Sequence, residues 1–362
     1  MQHKPKATEA EITVFGPGYG ESVVVHIGDG RWFIVDSTLA TREGEPASIR
    51  YLRSLGVEFE TSVELVVITH WHDDHIRGAV ATIDACPRAK ICVSQALTQD
   101  EFRKFAGALS SNTQSAHGSG VDEFIGVVQR MMTVGRGPQR GSQDKRILSI
   151  GGDHLSHAQS FELWTLSPSD FQTTVSEAKF AERQPEAGKA IKRAVPTGPN
   201  NHSVALWLVF GDANVVLGAD LETTADPRAG WESVVSSSNR PQGRVGYLKV
   251  PHHGSITGHH DGLWDDVLEE NPVAVLTPWN RNKGLPQASD VARLGGLTAK
   301  LFLTAPTNAL VRAKHDHEVE KLMRKFGVKT FRHPTNIAAV TARRELQDSL
   351  GEWIVTKWEM SN

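Results

Sequence analysis

The chain has 362 residues, with 39 Lys and Arg against 42 Asp and Glu and a formal net charge of −3. That length suits one large domain or two ordinary ones. The charge balance excludes a global field of the kind that draws a chain onto nucleic acid, while leaving room for a local basic groove. Cys86 and Cys92 are too few for a disulfide framework and fit a reducing compartment. Met1 to Glu11 lacks the apolar core of a signal peptide, and no apolar run is long enough to span a bilayer, so a cytoplasmic protein without membrane contact is expected.

Glu11 to Phe15 alternates as a first strand, and Gly16 to Gly20 follows as a loop. Ser22 to Ile27 and Trp32 to Val35 read as a hairpin turning at Gly28-Asp29-Gly30, and its second strand ends in Asp36. Pro46 to Leu55 predicts a helix stopped by Gly56. Val66-Val67-Ile68 is a buried β-branched strand that runs into Thr69-His70-Trp71-His72-Asp73-Asp74-His75. Ile76, Ala79, Val80 and Ile83 then recur at helical spacing. The polar cluster therefore occupies a strand-to-helix turn, where rigid scaffolds present reactive groups.

Imidazoles and carboxylates crowded this closely repel or dehydrate one another unless a partner joins them. A divalent metal is that partner, since neutral imidazole and carboxylate both ligate zinc, manganese or iron. His70 and His72, one residue apart in extended chain, suit one metal; Asp74 and His75, at the helix start, suit a second. His70-x-His72-x-Asp74-His75 followed by Gly78 resembles the signature of the metallo-β-lactamase-fold hydrolases. The resemblance implies an α/β, αββα sandwich. It also implies that Asp36 orders the metal loop through hydrogen bonds without ligating. Turn chemistry alone would make Asp36 a strand-end cap.

Ala89 to Val93 is another strand. From 98 to 146 the character changes. Glu101 to Leu109 and Val121 to Met132 read as helices, and Arg136 to Arg146 as a basic loop, in which Arg136 and Arg140 are candidate phosphate contacts. We read 98–146 as a helical insertion or lid within one domain spanning 1–362, against the plainer reading of a surface excursion. Phe161 to Leu166 resumes strand character, and Phe171 to Arg193 is polar with a helix within it.

In the second half, Asn200-Asn201-His202-Ser203 leads into a strand, a hairpin returns to Gly218-Ala219-Asp220, and a further strand ends in Pro251-His252-His253-Gly254-Ser255. This order is similar to the metallo-β-lactamase domain of competence-type DNA-uptake proteins, over roughly residues 11 to 305 with the helical insert unmatched. The resemblance implies that Asp220 is a carboxylate shared by both metals and that His252 or His253 completes the second site. Strand alternation does not choose between those two imidazoles. Many members place a histidine just ahead of the hairpin; here Asn200 or His202 takes that place, or the first site is one ligand short. His154, His157, His259 and His260 are further histidines that could reach the site, with a surface or hydrogen-bonded role the favoured reading for each. The helix expected over His317 to Phe326 and the hairpin of Ile337 to Ala342 with Trp353 to Trp358 are expected to complete the second half of the sandwich.

The resemblance implies a binuclear hydrolase using two divalent ions, zinc or manganese. Such a centre brings water toward a neutral pKa, with Asp74 or His253 carrying a proton to the leaving group. The first expectation for substrate is a phosphodiester, in nucleic acid or a small nucleotide. A lactone, thioester or other small ester is the second, and a non-catalytic subunit of a larger assembly the third. Homo-oligomers and partner proteins stay open.

Overall fold

The computed structural model describes residues 2–16, 20–40, 44–98, 120–133, 139–151, 160–182, 198–281, 284–307, 337–348 and 351–360. Arg136, His154, His157 and the segments expected to be helical at Glu101 to Leu109 and His317 to Phe326 lie outside them.

Two sheets form the centre. The first is built from β1 (Glu9–Phe15), β2 (Ser22–His26), β3 (Trp32–Val35), β4 (Val63–Ile68), β5 (Lys90–Ser94), β6 (Gln139–Gly141), β14 (Ile337–Glu345) and β15 (Ile354–Met360), in the order β15-β14-β1-β2-β3-β4-β5-β6. The second holds β7 (Lys145–Ile150), β8 (Phe161–Thr165), β9 (Leu206–Phe210), β10 (Ala213–Leu217), β11 (Val245–Lys249), β12 (Leu268–Leu276) and β13 (Leu301–Leu303), in the order β13-β12-β11-β10-β9-β8-β7.

The strand period of two sorts side chains into layers. Leu65 and Val67 of β4 face inward with Leu206, Leu208, Val215 and Val273, making the core between the sheets. Val66 and Ile68 face outward, where Tyr51, Leu52, Ile83, Phe124 and Val127 of the helices cover them. On the far side Trp207, Val216, Leu248 and Ala274 pack under Trp231, Val234 and Leu294. The architecture is an αββα sandwich with three apolar layers. Side chains such as Trp207 and Phe33, fully buried, contribute about 2–3 kcal/mol each relative to exposure.

Two expectations are corrected. The C-terminal hairpin does not complete the second sheet. β14 pairs antiparallel with β1 (Thr13 opposite Thr341), so it extends the first. The free edge of β1 accounts for this, because its buried Glu11 carboxylate takes the Arg343 guanidinium at 2.7 Å and Thr13 Oγ1 meets Thr341 Oγ1 at 2.8 Å. The basic stretch around Arg140 is not a continuous loop either. Residues 139–141 pair with β5 as the last strand of the first sheet, and β7 opens the second sheet at Lys145. The helix Gly120–Thr133 lies against the helix Ala79–Ala85, with Arg130 paired to Asp84 at 3.1 Å. Among the described residues no helix is long and apolar enough to cross a membrane.

Candidate metal centre

β3 and β4 run parallel, as do β10, β11 and β12. Their carboxyl ends deliver Asp36, Thr69 to His75, Asp220, His252–His253 and Thr277 to one place, where α/β sheets commonly bind ligands. Asp36, Ala219, His252 and His253 all hold positive φ (58°, 44°, 44° and 51°). Strained backbone of this kind persists where the surroundings over-determine it, and it clusters at functional sites.

Two groups of donor atoms meet at Asp220. Asp74, His75, Asp220 and His253 form one; His70, His72 and Asp220 form the other; within each, the atoms lie within 4.8 Å of one another. Asp220 belongs to both, and a third set, Glu21, Asp36 and His75, adjoins them at His75.

The hydrogen bonds fix which nitrogens face inward. Asp36 Oδ1 accepts the Thr69 N–H and Oδ2 accepts the Thr69 hydroxyl, each at 2.7 Å. His75 Nδ1 donates to the same Oδ2 at 2.7 Å, so in the neutral ring its Nε2 presents a lone pair. That lone pair stands 3.2 Å from Asp220 Oδ1, and among the described residues neither atom has a hydrogen-bond partner. His253 Nδ1 donates to the Thr277 carbonyl at 3.0 Å, which aims its Nε2 at Asp74 Oδ2, 3.0 Å away. The Thr69 hydroxyl is spent on Asp36, so it accepts from His70 Nδ1 at 3.0 Å and leaves His70 Nε2 facing His72 Nδ1 at 3.1 Å. With neutral imidazoles, acceptor faces acceptor at the His75–Asp220 and His253–Asp74 contacts, so each must hold a proton or a metal ion. Buried polar atoms are normally satisfied, and a divalent cation in each group satisfies all of them. The residues present fit such a metal pair.

Electrostatics points the same way. Burial pushes His70 well below its ordinary pKa, helped by the neighbouring His75 and His72, so it is neutral and ready to ligate. Burial opposes the charged form of His75 too, yet the Asp220 and Asp74 carboxylates outweigh it and hold its pKa well above the ordinary value. Burial would raise Asp220, but His75 and His253 hold it well below the usual carboxylate range. Without a metal, the pocket keeps a proton on imidazole to balance its carboxylates.

Other expected site residues are placed elsewhere. His252 is outside both groups. Its Nδ1 lies 2.8 Å from Thr257 Oγ1 and 3.0 Å from Glu222 Oε1, and its Nε2 is 3.1 Å from Asn200 Nδ2. His202 is also outside them. It stacks on Trp71 at 5.5 Å, packs against Phe180, and bonds Ser176 Oγ at 2.8 Å, and burial lowers its pKa to about 3. Asn200 is buried, with its Oδ1 unpartnered among the described residues. Arg140 is exposed on β6 and its carbonyl accepts from Lys145. His259 and His260 pair with Asp261 and Glu232 at 3.0 and 2.7 Å. The sequence reading missed Glu222, Thr277, Glu21 and Lys249. Only Glu222, two positions after Asp220, carried a local signal.

Residues 15–110 match the family model described as the metallo-β-lactamase superfamily. The fold is a metallo-β-lactamase sandwich. Among solved structures of this fold, the metallo-β-lactamase fold protein YhfI from Bacillus subtilis is 12% identical, with 82% of this chain and 97% of that chain covered and a TM-score of 0.38. The Rm3 metallo-β-lactamase is 14% identical over 68% of this chain and 80% of its own, at 0.34. Zn²⁺-bound PqqB from Methylobacterium extorquens is 13% identical over 57% and 51%, at 0.26. No curated protein matches the chain. In the metallo-β-lactamase sandwich the matched segment carries Asp36 and the whole of the His70 to His75 cluster, while Asp220 and His253 come from beyond it.

Proposed function

We propose that this chain is a hydrolase that holds two divalent metal ions, one on His70, His72 and Asp220 and one on Asp74, His75, Asp220 and His253, and that it cleaves a phosphodiester. The observation that carries the metal reading is the set of inward lone pairs facing carboxylates around the shared Asp220. When bound, two such ions supply a nucleophile at neutral pH and stabilise the oxyanion that develops. Nitrogen-rich donors in the first group suit zinc. Asn200, buried beside His252 with an amide oxygen that has no partner among the described residues, is the candidate oxygen donor, and manganese becomes the better ion if it ligates.

Within the chain, Asp36 locks the tautomer of His75 and the turn at Thr69, and Thr277 does the same for His253. His253 Nε2 cannot both ligate and carry a proton, so His252 is the candidate proton carrier. Glu222 orients His252 through Nδ1, and its Nε2 turns toward Asn200.

The phosphodiester reading rests on the competence-type pattern at Gly218-x-Asp220 and Pro251 to Ser255. It also draws on an exposed cation by the site: Arg281 lies 5.2 Å over the Trp279 ring, which stacks on His253 at 6.1 Å. The test is metal-dependent hydrolysis of bis(p-nitrophenyl) phosphate, with single- and double-stranded DNA alongside, on wild type, His72→Ala and Asp220→Ala. Turnover that needs metal and vanishes in both variants is expected. A chain that holds two metals and turns over none of these, but does open lactones or thioesters, would replace the phosphodiester by a small ester.

A further inference from the structure

Glu21 takes no part in the ligand set described above. It is 2% exposed, just ahead of β2 in the first half of the chain. Its Oε1 lies 2.6 Å from Nζ of Lys249, which is 1% exposed at the end of β11 in the second sheet. The same ammonium donates to the carbonyl of Ala219 at 3.1 Å, one residue before Asp220. The other carboxylate oxygen, Oε2, accepts from the Thr277 hydroxyl, and the Thr277 carbonyl holds His253 Nδ1 at 3.0 Å. The backbone N–H of Glu21 donates to the Asp74 carbonyl at 2.8 Å. One residue thus grips the segments that carry Asp74, Asp220 and His253, which come from both halves of the sandwich.

Stability alone does not account for this pair. Desolvating two charges costs about as much as their attraction returns, and apolar replacements of buried pairs are often neutral or stabilising. Position accounts for it better. Outer partners of metal ligands fix their orientation, and losing one typically weakens metal binding about 10- to 100-fold. Glu21 also lies with Asp36 and His75 in a set whose donor atoms fall within 4.8 Å of one another. An unpaired carboxylate there would compete for the metal, and Lys249 holds it away.

We infer that Glu21 is a positioning residue. With Lys249 and Thr277 it sets the donors of Asp74, Asp220 and His253 against one another and stays out of the ligand set itself. The inference rests on the metal-centre reading above, though not on the substrate.

The test is Zn²⁺ affinity by competition with a chromogenic chelator, together with thermal unfolding of the metal-free protein. The double variant Glu21→Gln/Lys249→Met removes both charges. Its metal-free Tm is expected to equal or exceed wild type, while Zn²⁺ affinity falls about 10- to 100-fold. Wild-type affinity in that variant would overturn the inference. If the double variant does not fold, Thr277→Val keeps the ion pair and removes the hydroxyl that bonds Glu21 Oε2 and also lies 3.3 Å from His253 Nδ1, while the Thr277 carbonyl still holds that nitrogen. There an affinity loss of about 10-fold at unchanged Tm is expected, and wild-type affinity again overturns it. A wild-type chain that binds no Zn²⁺ fails the metal-centre reading itself, and so is told apart from a failure of Glu21.

Discussion

The Nε2 atom of His253 stands 3.0 Å from Oδ2 of Asp74, although the two residues are 179 positions apart in the chain. With His253 Nδ1 committed to the Thr277 carbonyl, the contact brings a lone pair and a carboxylate together in a buried pocket. A proton or a metal must lie between them, and each prediction for the site turns on that requirement.

Metal binding is expected to release protons. In the metal-free protein the Asp220 and Asp74 carboxylates keep His75 protonated against the cost of its burial. A ligating imidazole must be neutral, so the metal displaces that proton and apparent affinity falls as pH falls. Calorimetric titration with Zn²⁺ at pH 7, in two buffers of different ionisation enthalpy, reads the number released. At least one proton per chain is expected, and none would show that His75 is not held charged.

Asp36→Ala should damage the centre without touching a ligand. It removes the acceptor for Thr69 N–H, Thr69 Oγ1 and His75 Nδ1 together. Loss of such an outer partner is expected to weaken Zn²⁺ binding about 10- to 100-fold, read by chelator competition.

Acid should destabilise the fold through His26. Its Nδ1 donates to the Glu9 carbonyl and its Nε2 accepts the Gly30 N–H, so it is buried neutral, and burial lowers its pKa from 6.5 to about 4. Between those values the unfolded chain binds a proton that the folded chain refuses. The stability is therefore present above pH 6.5 and is lost as pH falls toward 4. Linkage makes the loss about 2 kcal/mol between pH 7 and pH 5. Urea unfolding of the metal-free protein should show a pH dependence flatter by that amount in His26→Gln.

The C-terminal strands should carry global stability. Arg343→Met leaves the fully buried Glu11 carboxylate with its guanidinium partner gone. Removing one member of a buried pair costs about 3–5 kcal/mol, and the midpoint of denaturant unfolding measures it.

The sequence makes plain what is local. The turn from Val66-Val67-Ile68 into His70-x-His72-x-Asp74-His75 is legible because strand, donors and helix start adjoin one another. Asp220 and the His252-His253 pair were reached only through resemblance, since nothing near them in sequence says that they meet His75. The choice of His253 over His252 waited on backbone geometry, with both at positive φ and only His253 turned to Thr277 and Asp74. Glu21 and Lys249 carry no local signal in the sequence, because they meet only when the sandwich closes on them. Nothing near Ile337 in the sequence says that its strand joins the first half of the sandwich, because its partner, β1, lies at the other end of the chain. Gln139-Arg140-Gly141 has no apolar pattern to reveal a strand; pairing with β5 imposes it.

The most direct test of the central claim is metal stoichiometry. Metal-free protein would be loaded with Zn²⁺, desalted and analysed by inductively coupled plasma mass spectrometry, as wild type and as Asp220→Ala. The shared position of Asp220 in both donor groups calls for two ions per wild-type chain and a deficit at both sites in the variant. Wild-type chains that retain no zinc, or an Asp220→Ala chain that still retains both ions, would contradict it.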